Sequence, residues 1–390
     1  MKKRVAVIST NRADFSLLYP LIVEMRKYEN KNYSVELIVS GSHTCVQFGN
    51  TIEDICKMNV RIDYIVPIEI HTENELDIAM NQVSILRGMA ELFMKNRFDA
   101  IVILGDRYEM LTVAMVALDF RIPIIHLYGG DTTEGAMDEY IRHAITKMSC
   151  LHFVTNVQSY KRVVQMGENP ARVFNFGALG TDNVLQIEKY TKEEALFNIN
   201  LPLCDYALCA YHPVTLEPEK IEEMITNFLD AISLFSEVQF IIIKANFDQG
   251  GEQVNKMLYD FSINSDNVHV YSSFDVKEYI SLLKYAEFMI GNSSSGIMEA
   301  PVFQVPSINI GNRQKGRTKA ESTISCNYDK KSIVDAISTV TSYTFKEKCR
   351  NVQNPYGNGD ACISIAEKIF EFVNSGYDII KHFYSLDVVE

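Results

Sequence analysis

The chain has 390 residues, with 37 Lys and Arg against 50 Asp and Glu, a formal net charge of −13. A hydrophobic share of 47% with 22% charged residues is enough to bury a core, which excludes a disordered chain. The acidic excess argues against a polymeric nucleic-acid partner, which needs a basic face, but permits a small anion held by local cations and backbone amides. A length beyond the ~250–300 residues at which single cores stop growing predicts two domains.

In chain order, short apolar runs at Arg4–Ser9, Ser34–Ser40, Tyr64–Pro67, Ala100–Leu104, Ile122–Leu127 and Leu151–Thr155 read as strands. Between them, Leu17–Arg26, Leu76–Met94 and Met110–Leu118 carry helical spacing. Runs at Tyr206–Tyr211, Gln239–Lys244, Val268–Tyr271, Phe288–Gly291 and Pro306–Ile310 repeat the pattern, with helices expected at Lys220–Leu234, Gln253–Phe261, Val276–Lys284 and Ser295–Phe303. Strands alternating with helices predict an α/β protein with parallel sheets covered on both faces. Two Rossmann-like domains follow, with a boundary in the charged stretch Gly177–Leu201. The expected division is 1–180, 181–370 and a terminal segment 371–390, with an amphipathic helix at Ala361–Phe372.

The apolar run Val5–Ile8 is shorter than the ~7–15 residues of a secretory leader, and no run reaches the ~18 residues of a membrane span. Eight scattered cysteines without a CxxC pair predict reduced thiols, a cytoplasmic location and no zinc cluster.

Four segments and two isolated residues carry candidate chemistry. Gly291–Glu299, Gly-Asn-Ser-Ser-Ser-Gly-Ile-Met-Glu, follows a strand and opens a helix, offering amides and hydroxyls for a diphosphate and a carboxylate for a ribose. The same residues also suit an ordinary capped helix. Asp106 and Arg107 directly follow the run Ala100–Leu104, at the strand end where α/β sites sit, or cap a helix there. His126–Asp131 holds paired glycines that let backbone approach a ligand. In Asp138–His143 an acidic pair lies one helical turn from Arg142 and His143, suited to acid–base work or to ordinary ion pairing. A metal site from His126, Asp131 and His143 is the lesser alternative. Arg12 follows the first strand, and His212 is held before Pro213 at another strand end.

Together these motifs resemble the UDP-N-acetylglucosamine 2-epimerases, over about residues 4–325. Gly311–Arg317 (GNRQKGR) and Ile141–Lys147 (IRHAITK) resemble the hydrolysing branch of bacterial sialic acid synthesis. The resemblance implies a glycosyltransferase-B-like fold, two Rossmann-like domains facing across a cleft, with the terminal helix returning to the first. It implies a UDP-sugar substrate, a UDP product, no cofactor, no catalytic metal, no membrane partner, and a homodimer or dimer of dimers. Asp106 and Asp138 match the acid–base positions, with Arg107 and Arg142 orienting them. His212 matches a diphosphate contact that assists departure of UDP. Ser293, Ser294, Ser295 and Gly296 match the phosphate cradle, and Glu299 the ribose carboxylate. Arg12, Ser16, Asn246, Phe274, Arg313 and Arg317 match further nucleotide or sugar contacts. Many relatives carry a catalytic Glu where this chain has Tyr128, so Asp131 is expected to take over proton transfer, or Tyr128 to position water. A hydrolysing epimerase acting on a 2,4-diacetamido-trideoxy sugar nucleotide shares these motifs. A glycosyltransferase of the same architecture and a nucleotide-sugar sensor are the competing classes.

Overall fold

Lys3–Ser9 forms the first strand, and its side chains alternate between two cores. Val5 and Val7 pack with Leu18 and Leu37 on one face, and Ala6 and Ile8 with Ile85 and Ile103 on the other. This double burial is why the run reads as continuously apolar rather than alternating.

The computed structural model describes residues 2–45, 51–68, 75–132, 137–212, 220–245, 251–357, 359–376 and 380–386. In chain order the first part contains β1 (Lys3–Ser9), α1 (Arg12–Arg26), β2 (Tyr33–Val39), α2 (Ile52–Lys57), β3 (Tyr64–Ile65), α3 (Glu75–Lys95), β4 (Ala100–Leu104), α4 (Tyr108–Asp119), β5 (Ile124–Leu127), α5 (Met137–Met148), β6 (Leu151–Val154), α6 (Val157–Gln165), β7 (Val173–Asn175) and α7 (Leu179–Gln186). Next come α8 (Lys192–Asn198), β8 (Tyr206–Ala210), α9 (Ile221–Ile232), β9 (Gln239–Ile243), α10 (Gly251–Ser262), β10 (Val268–Tyr271), α11 (Val276–Tyr285), β11 (Phe288–Gly291), α12 (Ser295–Met298), β12 (Ser307–Ile310), β13 (Thr323–Cys326), α13 (Lys330–Thr341) and α14 (Tyr343–Cys349), and finally α15 (Ala361–Asn374).

Among the described residues these strands build two sheets, ordered β3-β2-β1-β4-β5-β6-β7 and β10-β9-β8-β11-β12-β13. Every pairing in both is parallel. In each sheet the winding direction reverses once, between β1 and β4 and between β8 and β11. Such reversals splay the flanking loops apart and leave a crevice beyond the strand C-termini. The short edge strands β7 and β13 escape the sequence reading, because three or four residues carry too little periodicity.

The chain divides into two compact units, Met1–Asn183 with Tyr356–Glu390, and Val184–Pro355. The return to the first unit therefore begins at Tyr356 and not at the expected 371. The reason lies in α15. Its stripe Ile365, Ala366, Ile369, Phe370 and Val373 is buried in the first core, and Phe370 stacks on Tyr28 at 4.6 Å. Fully burying side chains of this size contributes about 1.5–3 kcal/mol each. The buried Asp182 carboxylate accepts from the amides of Ala361 at 3.2 Å and Cys362 at 2.6 Å, so the first turn of α7 in the same unit supplies the first-turn cap. All eight cysteines are free thiols. No helix among the described residues is long and apolar enough to cross a membrane.

Candidate active site

In the first unit the candidate residues gather where β1, β4 and β5 end, beside the reversal between β1 and β4. Gly105, at φ 83°, turns the chain out of β4 and delivers Asp106. Arg142 of α5, 4% exposed, donates through Nη2 to Asp106 Oδ2. Its Nη1 donates to the Asp131 carbonyl at 2.7 Å and to Glu139 Oε2 at 3.2 Å. Glu139 also meets His143 Nε2 at 3.0 Å, so the helical spacing read from the sequence is used for ion pairing by Glu139.

Asp138 stands on the solvent-facing first turn of α5. Desolvation and the neighbouring Asp106 charge push its pKa above the ordinary carboxylate value, while Arg142 and Arg107 pull the other way. Two carboxylates that repel and one guanidinium that pins the first of them form a pair able to hold and release a proton.

Arg107 is oriented by a residue the sequence reading missed. Glu109, fully buried, accepts from Arg107 Nε at 3.2 Å and Nη2 at 3.1 Å. Nearby, Asp14 is 6% exposed and accepts from Thr10 Oγ1 at 2.9 Å and Asn11 Nδ2 at 2.6 Å. Burial pushes its carboxyl up to about 6 against these hydrogen bonds and the Arg107 charge. Acids in the first turns of α1 and α4 look like ordinary helix-start residues in sequence, which hid both. Arg12 and Ser16 lie on the exposed first turns of α1, where Ser16 Oγ donates to the Arg12 carbonyl at 2.9 Å.

Three expectations for the loop after β5 change. Asp131 Oδ1 accepts from Thr155 Oγ1 at 2.9 Å, Ser159 Oγ at 2.5 Å and Asn156 Nδ2 at 3.4 Å, so this oxygen ties the loop to the start of α6 and is not free as a base. The Tyr128 hydroxyl accepts from the Gly180 amide at 3.2 Å, and its ring packs against the core on the α1 side. That geometry does not suit water positioning. The paired glycines serve packing. A β-carbon at Gly130, φ 78°, would lie 2.4 Å from the Ser159 carbonyl oxygen, and one at Gly129 would lie 3.0 Å from His126 Nδ1. His126 itself is fully buried between the Gly105 carbonyl at 2.8 Å and Thr146 Oγ1 at 3.2 Å. Burial lowers its pKa to about 3, so it stays neutral as a structural bridge. Among the described residues no group of three or more His, Cys, Asp or Glu could hold a metal ion.

In the second unit the candidates lie where β8 and β11 end, again beside the reversal. Gly291, at φ 141°, permits the approach, since a β-carbon there would lie 2.1 Å from the Ala210 carbonyl oxygen. Asn292, 1% exposed and not singled out from sequence, is the hub. Its side chain accepts from the His212 amide and donates to the His212 carbonyl, both at 2.7 Å. Its own carbonyl accepts from Arg313 Nη1 at 3.1 Å and Gln314 Nε2 at 3.0 Å. The strand ends thus bring His212, Arg313 and the serine turn together.

The expected helix Ser295–Phe303 is instead one α-turn, α12, followed by a 3-10 turn at Ala300–Phe303. Pro301 cannot donate to the α-helical ladder, and Gln304 closes the turn at φ 60°. So short an element contributes little macrodipole, and the cradle is one of local amides and hydroxyls. Ser293 Oγ accepts from the Ser295 amide at 3.3 Å, and the Gly296 carbonyl is held by Ser307 Oγ at 2.5 Å. Glu299 Oε2 is buried without a hydrogen-bond partner, and burial raises the carboxyl above its ordinary value. Phe274 packs on Tyr271 at 5.1 Å, and Arg317 Nη1 reaches Met298 Sδ at 3.6 Å. Ser294 lies just before α12, and Asn246 falls outside the described residues.

A family model described as UDP-N-acetylglucosamine 2-epimerase matches residues 26–370. The chain is 34% identical over 385 residues to the polysialic acid biosynthesis protein P7 of Escherichia coli, covering 98% of each. It is 36% identical over 325 residues to the GDP/UDP-N,N'-diacetylbacillosamine 2-epimerase (hydrolyzing) of Campylobacter jejuni, covering 83% of this chain and 84% of that one. The crystal structure of the Neisseria meningitidis UDP-GlcNAc 2-epimerase bound to UDP-GlcNAc superposes with a TM-score of 0.75 at 16% identity, over 94% of this chain and 100% of that one, and carries the same fold. With two parallel sheets reversing where the candidate residues gather, and a family model spanning most of its length, the chain belongs to the UDP-N-acetylglucosamine 2-epimerase family.

Proposed function

We propose that this protein is a hydrolysing UDP-N-acetylglucosamine 2-epimerase of the cytoplasm, forming N-acetylmannosamine and UDP from UDP-N-acetylglucosamine and water. In this reading a base removes the C2 proton while the C1–O bond to UDP breaks, leaving a glycal. Water then adds its hydroxyl at C1, and a proton returns to C2 from the opposite face. The observation that carries the proposal is the pairing of Asp106 with Asp138 beside Arg142: one carboxylate accepts from a buried guanidinium, while burial and its neighbour's charge raise the pKa of the other. A weakly acidic C–H needs such a positioned base, and reprotonation needs an acid.

The second unit supplies the nucleotide-holding groups in this reading. Ser293–Gly296, Arg313 and His212 meet the diphosphate, and the unpartnered Glu299 Oε2 accepts from a ribose hydroxyl. The departing diphosphate gains charge as the C1–O bond breaks, and cations and amides already in place stabilise it without reorganisation.

A second substrate is favoured by one observation, the 36% identity to a relative whose name specifies diacetylbacillosamine. Incubation in deuterated water with UDP-N-acetylglucosamine and with the UDP-2,4-diacetamido-trideoxy sugar, side by side, separates the readings. Free N-acetylmannosamine carrying deuterium at C2 supports the proposal. Release only from the diacetamido substrate moves the activity to that sugar. A stable UDP-N-acetylmannosamine product overturns hydrolysis, and UDP binding without turnover overturns catalysis. Native mass spectrometry reads the homodimer or dimer of dimers that the family resemblance implies.

A further inference from the structure

Beyond α15 the chain lies across the C-terminal end of α5, the helix that carries Asp138 and Arg142. Lys381 makes this contact. Its ammonium donates to the carbonyls of Lys147 at 2.6 Å, Ser149 at 2.7 Å and Thr146 at 3.4 Å, and pairs with Glu168 Oε2 at 2.7 Å. The last carbonyls of a helix have no partner within it and carry partial negative charge, so a cation placed there both satisfies and stabilises them.

Glu168 braces the arrangement. Its side chain is 3% exposed, and it also takes Lys147 Nζ at 2.6 Å and His152 Nε2 of β6 at 3.0 Å. These contacts hold its carboxyl down at about 2, against the cost of burial. The Tyr384 amide donates to the Gly167 carbonyl at 2.9 Å, and Lys147 lies 4.9 Å over the Phe383 ring. A β-carbon at Gly167 would lie 2.4 Å from that ring, so the glycine makes room for the segment. Apolar burial contributes little. Ile380, Phe383, Tyr384 and Leu386 are 62%, 70%, 40% and 47% exposed. The segment is therefore held largely by polar contacts, four of which come from Lys381.

We propose that residues 380–386 are a clamp on α5, with Lys381 as a positioning residue that sets where Arg142 and Asp138 stand for proton transfer. The chemical part rests on the function proposed above. The geometry is direct: Arg142 reaches Asp106 and the Asp131 carbonyl from the same short helix whose far end Lys381 holds. A shift of α5 along its axis moves Asp138 and Arg142 relative to Asp106 at the end of β4. Displacements of about 1 Å cost up to ~100-fold in rate when reacting groups must be aligned.

The test uses the full chain with Lys381→Ala and Lys381→Arg. Amide hydrogen exchange over residues 137–148 is followed in the free protein, and kcat and KM are measured with UDP-N-acetylglucosamine. The expectation for Lys381→Ala is faster exchange confined to α5, with kcat lower by about tenfold or more and KM within about twofold, because nucleotide contacts lie elsewhere. Lys381→Arg, which keeps the cation, restores both. Unchanged exchange in α5 overturns the clamp, as does faster exchange across the whole first unit, which marks general destabilisation. A kcat within about twofold of the parent despite loosened α5 overturns the positioning role. Altered α5 exchange in a protein that turns over no nucleotide sugar leaves the clamp standing and overturns only the function it was linked to.

Discussion

Asn292 and His212 hold each other through two reciprocal hydrogen bonds of 2.7 Å, side-chain amide to backbone, across 80 residues of sequence. The pair fastens the loop after β8 to the end of β11. Asn292→Ala takes one hydrogen bond each from the part-buried His212 amide and carbonyl, at about 1–3 kcal/mol for each group that stays desolvated. The expected loss of unfolding free energy in urea is about 2–4 kcal/mol, with weaker UDP binding. A loss below about 0.5 kcal/mol, the range of ordinary surface substitutions, would show that water replaces the bonds without penalty.

Asp106→Asn and Asp138→Asn keep shape and remove the ionisable group. Each is expected to lower turnover by about 100-fold to 10,000-fold, the usual range for a general acid or base. UDP affinity by calorimetry is expected to stay close to that of the parent. Near-normal turnover of Asp138→Asn would remove it from proton transfer.

Glu299→Gln swaps a carboxyl whose Oε2 is buried without a partner for an amide of the same shape. A mismatched buried hydrogen-bonding group costs about 1–3 kcal/mol, so UDP affinity is expected to fall by about tenfold. Affinity for 2'-deoxy-UDP or 3'-deoxy-UDP, whichever lacks the contacted hydroxyl, is expected to change much less. Equal losses for UDP and both deoxy analogues would place Glu299 away from the ribose.

Asp14 gives a pH-dependence with a definite sign. Its carboxyl is pushed up to about 6 in the folded protein, above the 3.8 of an unperturbed Asp. Between these values the folded state binds more protons than the unfolded state, so this group's contribution to stability falls as pH rises through about 6. Asp14→Asn keeps an oxygen for Thr10 and Asn11 and removes the titration. Its stability relative to the parent is expected to rise by about 2–3 kcal/mol between pH 4 and pH 7. Parallel stability curves for the two proteins would contradict this.

The sequence alone determined the alternation of strands and helices and placed Arg12, Asp106, His212 and Ser293 just past strand ends. Those features are local: a run buried on both faces reads as apolar, and a ligand loop follows it directly. The same locality carried the motif resemblance to the epimerase family. Only the tertiary structure decided which of these residues meet. Arg142 finds Asp106 across 36 positions because β4 and β5 are adjacent and the two helices that follow them pack together. The structure also turned Asp131 Oδ1 toward α6, sent the Tyr128 hydroxyl to Gly180, and brought Asn292 beneath His212. No local pattern encodes a side chain's direction once several partners compete for it. Burial settles the competition, because a buried polar group must find its partner wherever packing places one. The same logic returns α15 to the first core and leaves Lys381 at the end of α5, a contact that exists only once the chain has folded back on itself.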